Sequence, residues 1–352
     1  MRRPLAPALA HTATAVALAL LTAAGCSALP GGSGDRGPAN GNGGAVGRPA
    51  APVPQASVPA GRRPAVPSTG CRAAQAAPAT GRHTFAGRSY LLKRPNTDPR
   101  RPAPLILDLH GLHSSGFQQA LYSQMATVGS ARGFIVVEPD SAPGREGWKL
   151  PGMPDGSADV AYMGRLLDHL ESALCVDRAH EFATGFSNGA GLATALICGL
   201  DGRLAGVAPI AGFNLARPCA GARPTTVVAF HGTADRIIPY RGGEPYGGDR
   251  TRIPPWMRPS DGAFALPSVR TAAARWARAL GCRTTGDGAR NVQSGGEIGR
   301  LSYQRCKGGA RLDLYTVADG GHTWPGTMPI GLGKTTTRLN ATSTILDAFS
   351  RT

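Results

Sequence analysis

Beyond residue 80 the chain alternates short, unbroken apolar runs with stretches of helical periodicity. The runs are Tyr90-Leu91-Leu92, Leu105 to Leu109, Phe134 to Val137, Glu181 to Thr184, Gly206 to Ile210, Thr226 to Phe230 and Leu312 to Val317. Most lack polar alternation, as strands buried on both faces do. Between them, Val160, Met163, Leu167, Leu170 and Leu174 recur on one helical face behind Ser157, a candidate N-cap. Further helices are expected over 188–197, over 268–280 and at the carboxyl end, where Ile345 and Phe349 would face inward. Alternating strands and helices imply a mostly parallel sheet covered on both sides.

Residues 1–80 show no such pattern. Met1-Arg2-Arg3, an apolar stretch around Ala13 to Leu21 and then Ala23-Ala24-Gly25-Cys26 read as an export signal over 1–25. The small residues before Cys26 resemble a bacterial lipobox, with Ala23 where leucine is usual. Cys26 is then the expected lipidation site and a membrane the expected partner, through acyl chains that contribute about 0.8 kcal/mol per buried CH₂. An ordinary secretory signal, or a twin-arginine signal using Arg2-Arg3, is the alternative. Residues 26–80, rich in Gly, Pro, Ala and Ser, read as a disordered tether. That leaves 81–352 as one catalytic domain of a size a single core can sustain.

The formal charge of +16 raises nucleic acid as a partner, but the arginines are dispersed and no zinc-finger spacing or aromatic-basic motif accompanies them. A solvated cationic surface is the expectation, with no nucleic-acid partner. With Cys26 set aside, six cysteines remain, an even count in an exported chain, so disulfides are expected. Fifteen pairings are open. Cys282 with Cys306 closes a short loop and is the favoured pair, and without any C-x-x-C spacing no metal site is expected.

Chemistry enters at Gly185-Phe186-Ser187-Asn188-Gly189, which follows a strand-like run and precedes a small-residue helical pattern. In that context Ser187 reads as a nucleophile on a sharp strand-to-helix turn, where glycines are needed because a Cβ would collide with neighbouring backbone. Ligand groups in such sheets gather at the carboxyl ends of strands. Two such loops supply partners in the order Ser, Asp, His: Phe230-His231-Gly232-Thr233-Ala234-Asp235, and Ala318-Asp319-Gly320-Gly321-His322. His322 is the expected general base and Asp235 the acid that orients it. Asp140, Asp159 and Asp319 are rival acids, though the first two precede Ser187 and the third lies too near His322 in sequence. The loop Leu109-His110-Gly111-Leu112-His113-Ser114 suits an oxyanion hole built from the backbone N–H groups of Leu112 and Asn188, with His110 and His113 shaping the turn. Trp148 and Trp324 are candidate substrate-binding residues, and the Gly- and Pro-rich segment 239–267, with Tyr240, Tyr246, Trp256 and Phe264, is a candidate lid.

Taken in order, Leu109-His110-Gly111, Val176-Asp177-Arg178, Ala183 to Gly189, Ala208-Pro209, Phe230 to Asp235 and Gly320-Gly321-His322-Thr323-Trp324-Pro325-Gly326 resemble the exported polyhydroxybutyrate depolymerase and feruloyl esterase family of α/β-hydrolases, which includes lipoprotein esterases of mycobacterial type. The resemblance spans roughly residues 80 to 350. It implies an α/β-hydrolase fold, a triad on Ser187, Asp235 and His322, and hydrolysis of a carboxylic ester through an acyl-enzyme, without a cofactor. The family often has cysteine where this chain has Leu112, a change expected to alter the acyl pocket alone. Alternatives are acyl transfer to another alcohol by the same residues, and a non-catalytic ligand-binding lipoprotein on the same scaffold.

Overall fold

A computed structural model describes residues 63–258, 262, 264–284, 289–294 and 296–352, the side chains of 289–294 excepted. The signal segment 1–25, Cys26 and the tether as far as residue 62 lie outside the described residues. The remainder is built on a ten-stranded sheet. Its strands are β1 (Gly81–Phe85), β2 (Arg88–Lys93), β3 (Ala103–Leu109), β4 (Ile135–Pro139), β5 (Val176–Phe186), β6 (Gly206–Ile210), β7 (Thr226–Gly232), β8 (Ala289–Ser294), β9 (Ile298–Tyr303) and β10 (Leu312–Val317). The spatial order is β1-β2-β4-β3-β5-β6-β7-β10-β9-β8. From β4 to β10 every neighbouring pair is parallel, and antiparallel pairs close both edges.

Residues that alternate along the central strands feed two cores. Leu105, Leu107, Leu109, Val227 and Ala229 pack toward α3 (Ala158–Ala173), α4 (Asn188–Gly199) and α5 (Val269–Ala279). Ile106, Val136, Val228 and Phe230 pack on the opposite face with Met125, Ile345, Leu346 and Phe349, where α1 (Gly116–Ser123), α2 (Met125–Ala131) and α6 (Ala341–Phe349) lie. This two-sided burial is why the strands read as unbroken apolar runs. The α/β-hydrolase fold expected from the sequence is the fold observed. One local expectation fails: Ser157 precedes α3 but sits in helical backbone geometry, and its side chain makes no capping bond.

The folded part starts earlier than residue 81. Pro67 bridges to Asp177, the Ser68 hydroxyl donates to the Leu174 carbonyl at 2.7 Å, and Cys71 is joined to Cys175. The tether assigned to 26–80 therefore includes a docked stretch at its end. Two further disulfides join Cys198 to Cys219 and Cys282 to Cys306. Among the described residues no helix is long and apolar enough to cross a membrane.

Candidate active site

Parallel register brings together residues far apart in sequence. β5 ends at Phe186, and Ser187 turns the chain directly into α4 with φ 54° and ψ −116°. That left-handed, unusual conformation in a residue other than glycine stores backbone strain of order 1–3 kcal/mol, typical of a functional turn. The turn is feasible because Gly189 presents no side chain. A Cβ there would run into the carbonyls of Leu109 and His110.

β10 lies beside β7 with Val317 opposite Gly232. Asp235 and His322 follow those two strand ends by a few residues and meet there. The His322 Nδ1–H donates to Asp235 Oδ2 at 2.8 Å, with both side chains buried. Asp235 Oδ1 accepts the backbone N–H groups of Ile237 and Ile238 at 2.8 and 2.9 Å. His231 adds a further contact: its Nε2 lies 3.3 Å from Asp235 Oδ2 and donates to the Ile238 carbonyl at 2.8 Å. Burial alone would raise the Asp235 carboxyl, but the charge of His322 and the hydrogen bonds from His231 and His322 together outweigh it and hold the group well below the usual carboxylate range. Asp235 is thus a fixed anion against one nitrogen of His322. The other nitrogen, Nε2, makes no hydrogen bond within the described residues, and the ring packs on Phe186 with centroids 4.8 Å apart.

The rival acids are engaged elsewhere. Asp159 is held by Arg88 at 2.6 Å and Arg145 at 3.1 Å. Asp140 pairs with Arg82 and accepts the Gly116 N–H, and Asp319 sits in a turn under the Thr233 hydroxyl.

The loop after β3 crosses in front of Ser187. Were a Cβ placed on Gly111, it would lie 3.5 Å from the Ser187 Cβ, so this backbone passes close to the serine. Its turn is braced by His110, whose Nδ1–H donates to the Gly111 carbonyl at 2.7 Å while Nε2 accepts the Ser141 N–H at 3.2 Å. Burial lowers the His110 pKa, which suits a neutral ring accepting at Nε2. His113 instead faces outward and pairs with Glu146 at 2.6 Å. The Leu112 N–H has no backbone partner among the described residues, and Asn188, the first residue of α4, has an N–H with no acceptor inside its helix. The Asn188 side chain is fixed by Trp148, accepting its N–H at 2.6 Å and donating to its carbonyl at 3.0 Å.

Leu112, Ser187 and Asn188 share a small cavity with Leu215, Ile238, Tyr246, Ile253, Met257 and Phe264, of about 20 Å³. The outer wall is the anticipated lid segment, where Ile253, Met257 and Phe264 pack with Leu112, Tyr246 and Trp256. Of its four aromatics, Tyr246 and Phe264 reach the cavity, Trp256 lines an outer groove, and Tyr240 packs on the core. Trp148 and Trp324 are corrected from their expected role. Both are fully buried and line neither the cavity nor the groove. The Trp148 indole donates to the His110 carbonyl at 2.8 Å, and the Trp324 indole to the Thr342 hydroxyl at 2.9 Å. The first braces the loop after β3 and the second belongs to the core beneath His322. Sequence reasoning missed Ile253, Met257, Leu215 and Ile238, whose polar surroundings in sequence give no periodic signal. Among the described residues no cluster of His, Cys, Asp or Glu could hold a metal ion.

Sheet order, strand-end loops and a serine on a strained turn define the α/β-hydrolase fold. No protein-family model matches the chain. By sequence it is similar to feruloyl esterase B of Piromyces equi, 29% identical over 231 residues, covering 63% of this chain but 40% of that protein. It is 28% identical over 262 residues to feruloyl esterase C of Emericella nidulans, covering 72% of this chain and 82% of the relative. The acetyl xylan esterase of Aspergillus awamori shares the fold, with a TM-score of 0.51 at 14% identity over 75% of this chain and 94% of that one. The chain is thus similar in sequence to feruloyl esterases and similar in fold to an acetyl xylan esterase.

Proposed function

We propose that the protein is an exported carboxylic ester hydrolase in which Ser187, His322 and Asp235 act as nucleophile, general base and orienting acid. The observation that carries this reading is the buried 2.8 Å bond from His322 Nδ1 to Asp235 Oδ2 beside a serine held on a strained turn. The fixed carboxylate commits the His322 proton to Nδ1 and leaves the Nε2 lone pair for the serine hydroxyl. Ser187 Oγ attacks the ester carbonyl as its proton passes to Nε2, and the resulting tetrahedral oxyanion is met by the N–H groups of Leu112 and Asn188, each such donor contributing about 3 kcal/mol. Collapse expels the alcohol, which takes the proton from Nε2. Water then repeats the sequence on the acyl-enzyme and releases the acid.

The groove outside Leu112, lined by His113, Arg145, Glu146 and Trp256, takes the leaving alcohol. Its polar walls and one aromatic face suit a hydroxylated alcohol such as a sugar. Feruloyl, acetyl and other short acyl esters are the substrates to try, given the names of the relatives. Lipidation at Cys26 would hold the enzyme at the cell envelope. The test is hydrolysis of p-nitrophenyl acetate, butyrate and octanoate, methyl ferulate and 3-hydroxybutyrate oligomers by wild type and Ser187→Ala. The expected result is Ser187-dependent turnover of at least one ester. Equal background rates in both folded proteins would refute the proposal.

A further inference from the structure

The cavity at Ser187, of about 20 Å³, has room for about one water, so no acyl group of substance fits without movement of its wall. Two wall residues, Leu215 and Phe264, also line a second and much larger chamber of about 340 Å³ on their far side. That chamber runs along α4 past Ala195 to the Cys198–Cys219 disulfide, with Leu150 and Met153 on its flank. Its lining is mainly apolar, and its volume reaches the lower range of small-molecule sites.

The partition has the features of a wall that yields. Phe264 belongs to the small lid cluster with Ile253 and Met257, not to either main core. Asn214, buried beside Leu215, donates through Nδ2 to the Pro267 carbonyl at 3.0 Å, tying the loop after β6 to the lid's return. Its buried Oδ1 has no partner among the described residues, which costs of order 1–3 kcal/mol and is out of place in a wall evolved for packing alone.

We infer that this chamber is the subsite for an extended, apolar acyl chain, and that Leu215 and Phe264 form the gate joining it to Ser187 and so determine chain-length specificity. The inference rests on the serine esterase reading above. In it, the carbonyl sits at Ser187 and the acyl chain passes between Leu215 and Phe264 along α4, while the alcohol lies on the opposite side near Leu112.

The test compares kcat/KM for p-nitrophenyl octanoate and p-nitrophenyl acetate in the full-length protein. Phe264→Ala, which opens the gate, is expected to raise the octanoate-to-acetate ratio at least fivefold. Ala195→Met, which fills the chamber, is expected to lower it at least tenfold. If Ala195→Met fails to fold, Ala265→Trp at the exposed rim replaces it, with the same expectation. Ratios within twofold of wild type in the opening and filling variants overturn the inference, as does a wild type that turns over acetate but not octanoate. Either result leaves Ser187-dependent acetate hydrolysis intact, whereas loss of that activity in wild type would instead sink the esterase reading.

Discussion

Glu138, at the inner side of β4, is buried and among the described residues pairs with no cation. Burial, reinforced by the nearby Asp108 carboxyl, pushes its pKa up from the ordinary 4.5 to about 9. The native state therefore keeps the proton through neutral pH, while the unfolded chain loses it above 4.5. Between those values the native state binds one more proton than the unfolded state, so stability falls as pH rises, by about 1.4 kcal/mol per pH unit. At pH 7 the accumulated loss from this one group is about 3 kcal/mol, and it stops growing only near pH 9. Glu138→Gln keeps the shape and removes the titration. Its stability relative to wild type is expected to climb by about 1.4 kcal/mol per unit from pH 5 to pH 8, read from urea unfolding at each pH with the disulfides intact. Asp108, pushed up to about 7 by its own burial despite hydrogen bonds from Ser123 and Gln119, remains in both proteins and leaves a residual slope. Parallel stability curves for the two proteins would refute the reasoning, because they would mean that Glu138 ionises alike in the folded and unfolded states.

Asp235→Asn removes the fixed anion and allows the wrong His322 tautomer, and kcat on the best ester should fall about 10⁴-fold, measured alongside circular dichroism to show the fold is kept. Cys71→Ser with Cys175→Ser opens the loop of 104 residues that pins the stretch before β1. Chain entropy puts the expected loss at up to about 4.7 kcal/mol, read as a lower urea midpoint, with esterase activity at pH 7 retained in the protein that remains folded.

The parts of the site legible in the sequence are those whose chemistry constrains the backbone. Gly189 must lack a side chain where it meets the carbonyls after β3, and that need writes the glycine pattern around Ser187. Asp235 and His322 lie a few residues beyond buried, unbroken strands, so the parallel pairing of β7 with β10 converts sequence order into a contact. The edge strands were silent for the converse reason. β1 alternates between half-buried and exposed residues with Arg, His and Thr among them, and β9 carries Gly, Arg and Ser, so neither forms an apolar run. The stretch from Pro67 to Cys71 looks like tether by composition, and its docking depends on partners in the β5 region that no local pattern reveals.

The enclosure of Ser187 was the least legible feature, and the physics of the lid explains why. Its apolar residues sit in single 3₁₀ turns, Arg250–Arg252 and Pro255–Met257, joined by proline and arginine. Such turns are too short to repeat a hydrophobic face, so Ile253 and Met257 gain their inward direction only by packing on Phe264 and Leu112. The indoles of Trp148 and Trp324 misled in the opposite sense. Aromatic residues near catalytic motifs suggest a pocket wall, yet each indole N–H has a buried acceptor, and that satisfied bond is what permits full burial. The Leu112 position joins the two lessons. Its backbone is fixed by the turn after β3, whereas its side chain belongs to the lid cluster, so one residue links the loop after β3 to the lid side of the cavity. A bulkier or smaller side chain there should therefore act on selection of the leaving alcohol, read as kcat/KM across alcohols of one acyl group, while leaving the N–H in place.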